Sequence, residues 1–114
     1  MPWTIFEHPE FSAELEAMPE VIADKLAEAV LTLEVVGPRL GRPLVDTLKG
    51  SRHANMKELR LGAVWRVAFA FDTERNAVIL VGGSKAGVNQ RRFYQDLIST
   101  AERRFDEWNG VARR

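Results

Sequence analysis

Met56-Lys57-Glu58-Leu59-Arg60-Leu61 and, across Gly62, Val64-Trp65-Arg66-Val67-Ala68-Phe69-Ala70-Phe71 are two strand-like runs in which single charges interrupt apolar residues. Asp72-Thr73-Glu74-Arg75-Asn76 reads as a polar turn, and Ala77-Val78-Ile79-Leu80-Val81 is an unbroken apolar run suited to a central strand. Three consecutive strands on tight turns predict an antiparallel sheet. Working outward, Trp3-Thr4-Ile5-Phe6 predicts a first strand, broken at His8-Pro9. Pro9 suits the first turn of a short helix to about Met18, and Pro19 can open a second helix in the same way. In that second helix Ile22, Leu26, Ala29, Val30, Leu33 and Val36 recur at helical spacing, and Gly37-Pro38 ends it. The segment from Arg39 to Asn55, with Gly41, Pro43 and Gly50, reads as a loop. Tyr94, Leu97, Ile98, Ala101, Phe105 and Trp108 then mark one long amphipathic helix. The order is β-α-α-loop-β-β-β-α. It predicts an α+β fold in which the N-terminal helices and a C-terminal helix pack on one face of a mainly antiparallel sheet.

The chain has 114 residues, which suits a single domain spanning residues 1–114. With 46% hydrophobic and 28% charged residues it has the composition of a globular protein rather than a disordered one. Cysteine is absent, which excludes disulfides and a catalytic thiol, and two histidines, His8 and His53, do not make a zinc site by themselves. No secretory signal is visible at Met1-Pro2-Trp3-Thr4, and no run approaches the roughly 18 apolar residues of a membrane span. The expectation is a cytoplasmic protein with no membrane contact. Formal net charge is zero, which argues against a nucleic-acid binder, but the charges are segregated: residues 1–37 sum to −7, residues 38–70 to +5 and the remainder to +2. An acidic layer and a basic face are compatible with an anionic partner, or are simply two solvated faces.

Gly82-Gly83-Ser84-Lys85-Ala86-Gly87 lacks the spacing of a Walker A loop and reads as a turn. The charged residues on the strands carry more. Glu58 and Arg60 share a strand face, Arg66 interrupts an apolar strand, and Lys85 emerges just past the most apolar one. Adjacent antiparallel strands would gather these four on one sheet face with Tyr94 above them. Such a group is either a functional site or an ion-pair network, and patterning leaves both open.

Longer stretches then carry a resemblance. Gly41-Arg42-Pro43-Leu44-Val45-Asp46, Leu48-Lys49-Gly50-Ser51-Arg52-His53 and Asn55-Met56-Lys57-Glu58-Leu59-Arg60 resemble the RelE/HigB superfamily of bacterial type II toxins, in its phage-derived HigB-like branch. Arg66 to Asp72, Ala77 to Lys85, Phe93-Tyr94 and Ala101 to Trp108 are similar in the same order, so the resemblance covers nearly the whole chain. It implies a compact α+β toxin that cuts messenger RNA on the translating ribosome, with no metal and no nucleotide cofactor. It also implies a HigA-like helix-turn-helix antitoxin as partner, through which alone operator DNA would be met. The chain departs from the pattern at Met56 and Glu58, where the best-studied RelE type carries lysines, and at Ser84, where close HigB-like relatives often carry aspartate.

Metal-free RNA cleavage by the ribose 2′-hydroxyl needs a base, cations for the phosphorane charge and an acid for the leaving 5′-oxygen. Carried over by motif, Arg66 would bind the scissile phosphate, and its replacement would strike activity while leaving the fold largely intact. Lys85 would stabilise charge or protonate the leaving group, and Arg60 would orient RNA or Glu58. Tyr94 would stack on a base or assist proton transfer, and Glu58 would be the base or position Arg66. Lys49, Arg52, His53, Lys57, Arg91 and Arg92 would bind RNA electrostatically. The rival readings are a ParE-like toxin acting on gyrase and a non-catalytic relative that only pairs with its antitoxin.

Overall fold

In a computed structural model, which describes residues 2–112, one five-stranded sheet organises the chain. Its elements are β1 (Thr4–Glu7), α1 (Pro9–Glu16), α2 (Glu20–Val36), a 3-10 turn (Gly37–Arg39), β2 (Val45–Thr47), β3 (Met56–Leu61), β4 (Trp65–Phe71), β5 (Asn76–Ser84) and α3 (Gln90–Ala112). Strand order is β1-β5-β4-β3-β2; only β1 and β5 run parallel, and the other three pairings are antiparallel. Three expectations change. The segment expected to be all loop contains β2, a three-residue edge strand paired with β3 from Val45↔Leu59 to Thr47↔Lys57. The helices, moreover, do not share a face. Gly82, Gly83 and Ser84, expected within a turn, are the last three residues of β5, paired with β4.

Alternation on the strands explains the second correction. Leu59, Leu61, Val67, Phe69, Phe71, Ala77 and Ile79 pack with Phe11, Ile22, Leu26 and Leu33 of α1 and α2. Met56, Ala68, Ala70, Val78 and Leu80 pack with Phe93, Leu97, Ala101 and Phe105 of α3. A central strand that is apolar on both sides has to be covered on both sides. The small Ala68 and Ala70 beneath α3 leave room for its phenylalanines.

An irregularity in β5 sets what happens at its far end. Ala68 pairs with Val81 but Phe69 with Ile79, so Leu80 is the extra residue of a bulge. Leu80 and Val81 therefore both face α3. β1 has meanwhile ended at Glu7, leaving the outer edge of β5 without a strand partner. Side chains take over there: Arg104 Nη1 donates to the Leu80 carbonyl (2.8 Å), and Glu14 Oε1 accepts from the Gly82 N–H (3.3 Å). Arg104 Nη2 donates to the other oxygen of Glu14 at 2.6 Å, so one clamp, buried at its arginine, ties α3, α1 and β5 together.

Candidate active site

Register places the charges. Asp46, Glu58, Ala68 and Val81 lie across the sheet in one row, and Arg60, Arg66 and Gly83 lie in the next row on the same face. This is the face α3 covers. α3 begins at Gln90, and Tyr94 in its second turn reaches down so that its hydroxyl donates to Glu58 Oε1 at 2.9 Å. Glu58 is buried, with Arg60 Nη2 3.6 Å from one carboxylate oxygen and Arg66 Nε 3.8 Å from the other. The sequence reading of a shared face for Glu58, Arg60, Arg66 and Tyr94 holds. The Tyr94 pKa is raised, first by burial and then by the Glu58 carboxylate that accepts its proton in the hydrogen bond. Its hydroxyl is therefore held protonated and aimed at a carboxylate.

The two arginines are held differently. Arg66 is buried, and its Nη1 and Nη2 donate to the carbonyls of Gly62, Trp65 and Ala63 at 2.9–3.2 Å, pinning the β3–β4 turn. Arg66 is thus part of the fold as well as of the site, contrary to the expectation that its loss would spare the fold. Arg60 is tied from outside by Asp46, whose Oδ2 accepts from Arg60 Nη2 at 3.1 Å and from Arg42 Nη2 at 2.8 Å. The Asp46 carboxyl is lowered in pKa, chiefly by Arg42 and then by the Thr47 N–H. Asp46 was missed as a site residue; its pairing with Glu58 across β2 and β3 becomes visible only when β2 is recognised as a strand. The Nε groups of Arg60 and Arg66 are buried without an acceptor, so the cluster carries more donors than its two carboxylates satisfy.

Glu58, Arg60 and Tyr94 open with Asp46 and Lys49 onto a cleft of about 330 Å³. A second cavity of about 480 Å³ adjoins it along α3, sharing Lys49 and Tyr94 and reaching Arg91. Lys85 lines neither cavity. It follows β5 beside the β3–β4 turn, its N–H donating to the Val64 carbonyl at 2.9 Å, and its side chain has no hydrogen bond or ion pair among the described residues.

The residues expected to bind RNA divide. Lys49 and Arg91 are exposed at the cavities just described. Arg52 and His53 are instead spent on α3. The Arg52 guanidinium pairs with Asp106, its N–H donates to Glu102 at 2.7 Å, and the His53 ring lies 3.0 Å from Asp106 and edge-on to Phe105. These contacts lower the Glu102 pKa, with the Arg52 N–H the largest cause. Lys57 points to the opposite sheet face from Glu58, its Nζ on the Thr47 hydroxyl at 2.9 Å. Arg92 leaves α3 about 160° around the helix from Tyr94, since each residue turns about 100°. Among the described residues, His8, Glu10 and Glu107 bring three metal-type ligand atoms together, but Arg103 and Arg104 already lie 3.5 and 3.7 Å from Glu10.

Comparison with known proteins agrees with this fold. The family described as phage-derived protein Gp49-like (DUF891) matches residues 13–106. Two Mycobacterium tuberculosis proteins named as HigB-type toxins are similar. HigB3 is 43% identical over 99 residues, covering 86% of this chain and 82% of that protein. HigB2 is 43% identical over 100 residues, 84% of this chain and 49% of that one, so the chain spans about half the length of HigB2. Among solved structures, a variant of the Escherichia coli toxin RelE in the free state has a TM-score of 0.68 at 13% identity, covering 91% of this chain and 98% of that chain. RelE in the archaeal RelE–RelB complex from Pyrococcus horikoshii has a TM-score of 0.64 at 20% identity, covering 77% and 100%. Those two likenesses are likenesses of fold. With the family match over most of its length, the chain belongs to the Gp49-like, HigB-type family of toxins and has the RelE-like α+β fold.

Proposed function

We propose that this toxin is a ribosome-dependent messenger-RNA endoribonuclease. The observation that carries the reading is the Tyr94–Glu58 hydrogen bond at 2.9 Å, set between two arginines at the floor of an open cleft. A carboxylate already accepting a phenolic proton can take up the proton of an attacking 2′-hydroxyl through that phenol. The 2′-hydroxyl gives its proton to the Tyr94 oxygen as Tyr94 passes its own to Glu58, and the freed 2′-oxygen attacks the adjacent phosphorus. Arg60 and Arg66, with donors in excess of acceptors, would offset charge on the phosphorane oxygens. The 5′-oxygen leaves as its bond to phosphorus breaks, and Lys85, whose side chain has no partner among the described residues, supplies the proton. Lys49 and Arg91 hold the strand on either side.

The full chain then acts as one toxin domain in the cytoplasm, with a HigA-like helix-turn-helix protein as antitoxin; a complex with the antitoxin RelB is what the archaeal RelE neighbour forms. The surplus of arginine donors around Glu58 favours RNA over a gyrase-binding role, because a protein–protein contact does not call for a phosphate site. Primer extension on cellular messages after induction tests the reading. Discrete cuts within translated codons are expected. Growth arrest without cuts, or with DNA damage instead, would overturn it.

A further inference from the structure

The largest cavity among those described runs along α3 from Tyr94 toward Ser99, and the proton transfer outlined above uses only Tyr94 of its lining. We infer that this cavity seats one nucleobase of the bound strand, next to the scissile phosphate, and that Gln95 and Ser99 read its edge. The inference rests on the ribonuclease reading and names where that enzyme's sequence preference is set.

Four features point to a base as the occupant. First, the cavity shares Tyr94 and Lys49 with the cleft that holds Glu58 and Arg60, so a strand lying in one extends into the other. Second, its wall is apolar where a base would stack. The Tyr94 ring is fixed by its hydroxyl on Glu58 and by edge-on contact with Phe93, at 5.2 Å between centroids, and Ile98 continues the wall one turn along. Rigid aromatic rings are the usual platforms for unpaired bases.

Third, the polar groups are uncommitted. The side chains of Lys49, Arg91, Gln95 and Ser99 make no hydrogen bond or ion pair among the described residues, and all four are exposed. Nearby Glu102 is the opposite case, its carboxylate taken by the Ser51 hydroxyl and the Arg52 N–H. Fourth, Lys49 from the β2–β3 loop and Arg91 from α3 outnumber Glu102, the one carboxylate in the lining, which suits a strand carrying a phosphate on each side of the base. A carboxamide and a hydroxyl offer both donors and acceptors to a base edge, which cations alone do not. The phosphate contacts hold the strand, and Gln95 and Ser99 discriminate.

The test uses Gln95→Glu, which keeps the side-chain shape and removes the amide donors. Fluorescence anisotropy with short 2′-O-methyl homopolymers of A, C and U, which are not cleaved, reads binding. Mapping of RNA 5′ ends after induction in cells reads the base beside each cut. The wild-type protein is expected to rank the three oligomers unequally. Gln95→Glu should shift preference away from U, which presents carbonyl acceptors, relative to A and C, which present amino donors, by about fivefold or more. The base distribution at the cuts should move in the same direction. Circular dichroism confirms that this exposed substitution leaves the fold unchanged. If RNA is still cut but Gln95→Glu changes neither oligomer ranking nor cut-site bases, the base-reading role is wrong and the ribonuclease reading stands. If the wild-type protein neither binds the oligomers nor cuts messages, both fall together.

Discussion

Replacing Glu58 by Gln probes the centre of the site with the smallest change of shape. The amide can still accept the Tyr94 hydroxyl, so the substitution removes the charge and little else. What is lost follows from the geometry. Arg60 lies 3.6 Å and Arg66 3.8 Å from the carboxylate, and a unit-charge pair at such separations is worth about 4 kcal/mol at an effective dielectric near 20. That is a gross figure, because burying the carboxylate costs much of it. Arg60 is also partly solvated and keeps Asp46. Arg66 keeps its turn carbonyls but stays buried with no neutralising anion in contact, and breaking one side of a buried pair typically costs about 3–5 kcal/mol. Crediting Arg66 with its carbonyls, Glu58→Gln should cost about 2–4 kcal/mol and lower the melting temperature by roughly 10–20 °C in a chain of this size.

Urea unfolding followed by circular dichroism measures this directly, with the m-value expected to stay constant. Glu58→Gln, Arg66→Met and the double variant form a cycle. The double variant should lose about 1–3 kcal/mol less than the sum of the singles, because both singles break one pair. Message cleavage, assayed well below the lowered transition, should fall by about 10²–10⁴, the usual contribution of a general base. A stability change under about 0.5 kcal/mol, or strict additivity in the cycle, would refute the coupling of Glu58 to Arg66. Normal cleavage by a folded Glu58→Gln would refute its role as base.

Arg104→Met should destabilise by about 2–4 kcal/mol in calorimetry, because it strands the Leu80 carbonyl and the Glu14 carboxylate at the open edge of β5. Gly37→Ala should lose about 2 kcal/mol or more, since Gly37 has φ 65° and an added Cβ would run into the Trp3 ring; native folding at wild-type stability would show that the α2 terminus can relax. His8 caps α1 by accepting the Glu10 N–H on Nδ1, and burial lowers its pKa against the opposing pull of Glu10 and Glu107, with Arg103 and Arg104 nearby adding to the lowering. The unfolded chain then takes up the proton first, so stability present above the ordinary histidine range is lost as pH falls below it. His8→Asn keeps a capping acceptor without a titrating ring and should flatten that part of the stability–pH curve. Asp46 and Glu102 have lowered carboxyl pKa values, so their contributions persist down to the ordinary carboxylate range and disappear as pH falls further. Acid unfolding of Asp46→Asn with Glu102→Gln should show a shallower slope there.

The strands and long helices were legible because their residues report only on local burial. Period two in β3 and β4 and period 3.6 in α3 each follow from one contact surface. The placement of helices was misread although the signal was present, since Ala77 to Val81 shows no polar alternation and a strand of that kind lies between two layers. β2 escaped because three residues around Asp46 form too short a pattern. Arg104 sits seven positions after Leu97 and three after Ala101, on the apolar stripe of α3. An arginine there is a visible mismatch, but its reason is a bulge two elements away. The face shared by Glu58, Arg60, Arg66 and Tyr94 was readable from strand parity. Whether Arg52 and His53 meet RNA or Asp106 was not, because that depends on how a loop lies against a helix about 50 residues later.

One sheet face serves as core and as site, and the rows show where it changes. Met56, Ala70 and Val78 form an apolar row under α3; Glu58, Ala68 and Val81 form the next; Arg60, Arg66 and Gly83 form the last, at the first turn of the helix, where Phe93 lies over Gly83. Glu58 stands on the boundary, buried by Tyr94 on one side and flanked by arginines on the other. Moving the carboxylate one row toward Met56 would bury it without a cation, and moving it one row outward would remove the shelter that Tyr94 gives. The depth of the Glu58 carboxylate is therefore set by the point at which α3 begins. A shift of the α3 start by one turn should change the exposure of Glu58 and its pairing with Tyr94 together, which makes the segment from Lys85 to Asn89 a determinant of activity although none of its side chains contacts Glu58.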